Sequence, residues 1–139
     1  MIFLSLTRLR IRSVFYLPLF AVYTLRSLRQ VRRASGFLSG KLLPDHDRTF
    51  WTMTAWRDSG SMRAFMNSGA HKQAMPKLLS WCDEASVAHW GQEDLSLPSW
   101  EEADRRMRES GRPSKVKHPS SDHAGLTYRK PRPSRSTSI

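Results

Sequence analysis

Two histidines stand where this chain could carry out proton chemistry. His71 follows Ser68-Gly69-Ala70 and opens a helical segment, so its imidazole can turn toward a pocket between helix and sheet. His89 lies between Ala88 and Trp90 on a short apolar run and can line the same space. Ser68 and His71 stand three residues apart, but a serine and a histidine without an orienting partner do not make a triad, and Ser68 reads as a helix cap. His46 falls in a turn and His118 and His123 in a polar tail, so all three are expected in solvent. Single Cys82 excludes an internal disulfide framework and a multi-cysteine zinc site, and reads as a packed structural thiol. Glycine-rich phosphate loops, dinucleotide fingerprints and His-Glu-x-x-His are absent, so no metal or cofactor site is expected. Trp51, Trp56, Trp81 and Trp90 are the other concentration of chemistry. Large rings usually serve as core and interface packing, and some can wall an apolar cavity for a flat aromatic ligand.

The elements that must position these groups follow from periodicity. Ile2 to Arg12 alternates, with Ile2, Leu4 and Leu6 on one face and Phe3, Ser5, Thr7, Leu9 and Ile11 on the other, which predicts a strand. Arg8, Arg10 and Arg12 continue the first face. Pro18 suits the first turn of a helix in which Leu17, Ala21, Leu25 and Leu28 keep helical spacing, closed by Ser35-Gly36. Gly36 to Leu43 reads as a second strand and Pro44-Asp45-His46-Asp47 as a turn. Phe50 to Trp56 is the clearest strand, rich in rings and threonine. Asp58 or Ser59 caps a helix to about Asn67, Gly69 breaks it, and a second segment runs from Ala70 to Cys82 with Pro76 kinking or restarting it. Ser86 to Trp90 makes a last strand.

The order β-α-β-β-α-β is the split βαβ pattern of an α+β, ferredoxin-like domain over residues 1–92. Both helices pack on one sheet face there, and a second copy of the chain is the economical cover for the other. Ser99 and Glu102 have capping-box spacing, so residues 93–110 form a linker and short helix. Residues 111–139, dominated by Ser, Pro, Lys and Arg, are expected to be a disordered basic tail.

Charge narrows the partners. The net charge of +11 divides into +7 for residues 1–48, −2 for 49–110 and +6 for 111–139. The excess sits in a helix and a tail, and no basic groove is studded with rings, so nucleic acid is not the expected partner. Val14 to Leu25 is a 12-residue apolar run, well short of the roughly 20 residues needed to span a bilayer. Arginines stand on both sides of it and no small-x-small cleavage site follows. It reads as a core-packed helix of a cytoplasmic protein, not a membrane segment. Attachment to a membrane or nucleic acid through the basic segments would be steeply salt-dependent.

The stretch FWTMTAWRDSGSMRAFMNSGAHKQAM, followed by EASVAHW, resembles the dimeric α+β barrel superfamily, and within it the antibiotic biosynthesis monooxygenase-like group. The matching features are a strand ending in Trp56, the acidic cap Asp58, Ala64-Phe65, Ser68 and the helix from Ala70. The resemblance implies a homodimer with a cavity in each subunit between helices and sheet. It further implies, for some members, oxygenation of aromatic or polyketide-like molecules without metal or flavin, the substrate supplying the electrons to oxygen. On that basis His71 is the proton-transfer candidate, with Asn67, Trp51, Tyr23 and His89 as cavity groups. A haem-degrading branch places Trp, His and Asn where this chain has Phe65, Met75 and Thr7, so that activity is rejected. The residues alone leave catalysis open, and a non-catalytic homodimer binding a small hydrophobic ligand or a partner is the alternative.

Overall fold

The computed structural model describes all 139 residues. Its main sheet is built from β1 (Ile2–Ile11), β2 (Phe37–Pro44), β3 (Thr49–Trp56) and β4 (Cys82–Gln92), with α1 (Leu17–Arg32), α2 (Ser59–Met66) and α3 (Gly69–Trp81) between them. A fourth helix, α4 (Trp100–Ser110), follows, then two short edge strands, β5 (Arg112–Pro113) and β6 (Thr137–Ser138). The order across the six-stranded antiparallel sheet is β5-β4-β1-β3-β2-β6. The inner four strands have the arrangement of a ferredoxin-like fold.

Local chemistry sets the helix ends. The Asp58 carboxylate accepts the Ser61 amide at 2.7 Å to start α2, and the Ser99 hydroxyl accepts the Glu102 amide at 3.1 Å to start α4. Pro18 lies in the first turn of α1. Pro76 stays inside α3 without ending it. β4 begins where α3 stops and is longer than its apolar run suggests. Pairing with β1 from Ile2–Gln92 to Ile11–Cys82 recruits the flanking residues.

The two sheet faces differ. Leu4, Leu6, Leu43, Trp51, Met53, Ala55 and Ala88 pack against Trp100, Ala103 and Met107 of α4 and against Tyr128, forming the largest core cluster. This is the face for which a second copy was the expected cover; α4 and the chain after it cover it instead. On the opposite face α1 to α3 are held at two ends. Ile11, Phe20, Trp81 and Cys82 cluster at one, and Val31, Trp56 and Met62 at the other.

The disorder expected of residues 111–139 is not what the structure holds. β5 pairs with the β4 edge and β6 with the β2 edge, so the segment crosses the sheet and covers both open edges. Tyr128 and His123 are buried, contrary to the expectation that His123 is solvated. The His123 ring lies 2.7 Å from the Ser114 carbonyl, and its Nδ1 accepts the Ala85 amide. His46, expected free in its turn, accepts from Arg129 Nε at its Nε2. Composition misleads here because the segment needs no core of its own: it inserts a few side chains into an existing one and pairs its backbone with existing strands.

A second correction concerns α1. Of its apolar residues only Phe20 and Val31 are buried, while Leu19, Val22 and Leu25 are exposed. The helix is not core-packed along its length, because the space beneath its middle is empty.

Candidate ligand cavity

The floor of that space is carved by residue size. On the helix-facing side, β1 presents Phe3, Ser5, Thr7 and Leu9, and β3 presents Trp56, Thr54, Thr52 and Phe50, paired in that order. Large side chains meet large ones at both ends, and hydroxyl residues meet in the middle. β4 adds His89 beside Ser5 and Val87 beside Thr7, and β2 adds Gly40 beside Thr54 and Leu42 beside Thr52. A Cβ on Gly40 would lie 2.8 Å from both the Ile139 side chain and the Met53 carbonyl, so glycine lets the chain terminus close against the sheet.

The result is a cavity of about 650 Å³, roofed by Tyr23, Thr24 and Leu28 of α1 and by His71, Ala74 and Met75 of α3. Its volume lies in the range of small-molecule sites, and its walls are mostly apolar with a few polar groups. The hydroxyls of Ser5, Thr7 and Thr52 make no intramolecular hydrogen bond, whereas Thr54 accepts from the Trp56 indole at 2.8 Å.

His71 is the best-held polar group of the roof. Its backbone amide donates to Gln30 Oε1 at 2.9 Å, and Gln30 Nε2 donates to the Phe65 and Ser68 carbonyls. Gln30 thus ties α1 to the α2–α3 turn, where Gly69 takes a φ of +56° against it. Nothing in the sequence marks this lone glutamine among arginines, since its partners lie 35 to 41 residues away. The His71 ring packs 4.9 Å from Phe65 and its Nδ1 is 3.3 Å from the Met66 carbonyl. A proton on Nδ1 satisfies that carbonyl and leaves Nε2 as a free acceptor. Burial lowers the His71 pKa and the Met66 carbonyl opposes it only in part, so the ring is a neutral base at pH 7. His89 is lowered too, first by burial and then by the charges of Arg112 and Arg63.

Three of the five sequence candidates, His71, Tyr23 and His89, therefore face one cavity. Trp51 borders it, but its indole lies on the other side of the sheet, 6.3 Å from Trp100 and 5.6 Å from Tyr128, and bonds Asp45. Strand alternation puts Thr52, not Trp51, on the cavity side. Asn67 is the exposed cap of α2 and lies outside the lining. Cys82 is fully buried, its thiol pushed up to about 12 by burial and by Asp83, and it is an inert core group. No three His, Cys, Asp or Glu side chains converge closely enough to hold a metal ion.

Fold and cavity together define a ferredoxin-like α+β protein with a hollow between helix layer and sheet. Residues 29–137 match the family described as "Domain of unknown function (DUF3291)", and the chain belongs to that family. No curated protein matches it. Among solved structures it is similar to SnoaB, a cofactor-independent oxygenase from Streptomyces nogalater, at 15% identity over 70% of this chain and 98% of that one, TM-score 0.57. A Nitrosomonas europaea protein described as a "putative antibiotic biosynthesis monooxygenase" matches at 12% identity over 69% and 94%, TM-score 0.60. Rv0793 from Mycobacterium tuberculosis matches at 12% over 70% and 100%, TM-score 0.61. The resemblance drawn from residues 50–75 and 84–90 thus holds for the fold. No helix is long and apolar enough to cross a membrane.

Proposed function

We propose that this protein binds a flat, largely apolar aromatic or polyketide-like molecule in the cavity and oxygenates it without a cofactor, with His71 as the proton acceptor. The observation that carries this reading is the free Nε2 of a neutral, positioned imidazole on the wall of an apolar hollow. Removal of a proton from an acidic C–H of the substrate by Nε2 leaves an electron-rich carbanion, which dry walls keep from hydration. Electrons pass from that carbanion to dioxygen. One oxygen atom ends as a carbonyl on the substrate carbon and the other leaves as water, so a methylene and O₂ become a ketone and H₂O. The Ser5, Thr7 and Thr52 hydroxyls are placed to orient the oxygen substituents of the ring system. Sharing a fold with an oxygenase supports the reading at the level of scaffold only.

Oxygen uptake with a tricyclic anthrone is the test. The wild type should consume oxygen, and His71→Ala should lose activity by about 100-fold or more, the usual weight of a general base, while keeping its unfolding midpoint. The lowered His71 pKa means the base form persists below the ordinary imidazole value, so the rate should fall only at pH under about 6.5. Equal uptake by H71A removes His71 from the mechanism. Anthrone binding without any uptake favours a non-catalytic ligand carrier.

A further inference from the structure

The face of α1 turned away from the cavity has no partner in the chain. Just before the helix Phe15 is 86% exposed and Val14 61%, on its outer face Leu19 is 52% and Val22 45% exposed, and Leu25, 59% exposed, stands at the cavity rim. Phe15, Leu19 and Val22 stand at three- and four-residue intervals, and the same stripe continues as Arg26, Arg29 and Arg33. The outer surface therefore reads apolar along its first half and basic along its second. Its neighbours extend the pattern: α3 adds Lys72, Lys77 and the exposed Met75, and α2 adds Arg63. α1, α2 and α3 contain no acidic residue at all.

This surface also borders the way into the cavity. Leu25 and Met75 are both exposed and both line the hollow, which places a mouth between α1 and α3. Beside it, the Tyr23 ring lies 5.8 Å from the Arg26 guanidinium and 5.8 Å from Lys77 Nζ.

We propose that the α1 face docks on an anionic lipid surface, its apolar half entering the headgroup boundary and its arginines pairing with lipid phosphates, so that the cavity mouth opens toward the bilayer. Charge complementarity selects this occupant. A second copy seated on the same face would set arginines against arginines or against apolar side chains, with no carboxylate within α1, α2 or α3 to answer them. A lipid surface accepts both halves at once: a helix with an apolar stripe and basic flank lies in the interface plane, and each arginine near anionic headgroups adds to the attraction. The docking stands on the exposed apolar and basic residues of this surface. Only its use as a loading route for an apolar ligand rests on the function proposed above.

Vesicle co-sedimentation of the full chain tests it, using phosphatidylcholine vesicles with and without phosphatidylglycerol. Binding is expected to the mixed vesicles, weaker on neutral ones, and reduced by high salt. The triple variant F15S/L19S/V22S, altered only at exposed positions outside the cavity lining, should bind about tenfold or more weakly, and R26E/R29E/R33E likewise. Oxygen uptake from dissolved anthrone by F15S/L19S/V22S should be unchanged, which separates this proposal from the cavity chemistry. Failure of the wild type to sediment, or binding indifferent to F15S/L19S/V22S, overturns it. So does a solution dimer that F15S/L19S/V22S dissociates, or capture by an acidic protein without lipid binding.

Discussion

One sheet carries two unlike faces. The face under α4 is filled, with Trp51, Trp100 and Tyr128 meeting edge to face over a floor of Leu4, Leu6 and Met53. The face under α1 and α3 is bridged at its ends and hollow between them. Both are built from the same strands, so the difference lies in which residues of each alternating pair are large. Stability is concentrated where rings fill the space, and binding capacity where hydroxyl residues leave it open.

The filled face also carries a buried ionic cluster. Arg8 donates to Glu84 at 2.7 Å and lies 3.8 Å above the Tyr128 ring. Arg10 and the Ser120 hydroxyl both donate to the other Glu84 oxygen. The Tyr128 hydroxyl donates to Asp104, which Arg108 also holds. Burial alone would raise the Glu84 carboxyl, but hydrogen bonds from Ser120 and Arg8 and the charges of Arg8 and Arg10 outweigh it and hold it below its ordinary value. These groups join β1, β4, α4 and the crossing segment, so they serve as the clasp on the C-terminal chain.

Breaking the filled face should have the largest effect. Trp51→Ala removes a ring that is 1% exposed and leaves a void between Trp100 and Tyr128. A loss of about 3–5 kcal/mol in denaturant unfolding is expected. A loss under about 1 kcal/mol would mean that this face is not the centre of stability.

Opening the clasp comes next. Arg8→Met removes the closest cation of buried Glu84 and should cost about 3 kcal/mol, with faster hydrogen exchange in residues 112–128. Since the Glu84 pKa is depressed on folding, its contribution is present above the unfolded carboxylate value of about 4.3 and is lost as pH falls through the lower folded value. The wild type should therefore lose stability on acidification below about pH 4, and an Arg8→Met/Glu84→Leu double variant should show a shallower acid slope. Equal acid slopes would detach Glu84 from the clasp.

The smallest stability change should come from filling the hollow. Thr7→Leu places a larger side chain at the middle of the cavity floor. It should alter stability by less than about 1 kcal/mol, because it fills empty space rather than overpacking a core. Anthrone binding, measured by fluorescence titration, should nevertheless weaken at least tenfold. Strong destabilisation with intact binding would reverse the contrast between the faces.

Much of the scaffold is legible in the chain. The alternation of Ile2 to Ile11 and of Phe50 to Trp56 assigns each side chain to a face, Asp58 and Ser99 mark helix starts, and the element order gives the ferredoxin-like pattern. The sequence also carries, unread, the size pattern of the cavity: large, small, small, large on both strands. It becomes a cavity only when the register sets Ser5 against Thr54 and Thr7 against Thr52. Trp51 enters as a cavity candidate through the family resemblance, and its strand phase turns its ring to the filled face instead. Gln30 carried no local signal.

What the sequence by itself determined is local: which segments become strands and helices, and which residues share a face, because backbone periodicity and end-capping act over a few residues. The tertiary structure decided where the last 29 residues lie, which face they fill, and that α1 spans a hollow instead of packing a core. Those outcomes depend on partners many residues away. A polar segment becomes ordered when another part of the chain offers it an edge strand, a carboxylate and a slot for one tyrosine, and no short window of sequence contains that offer.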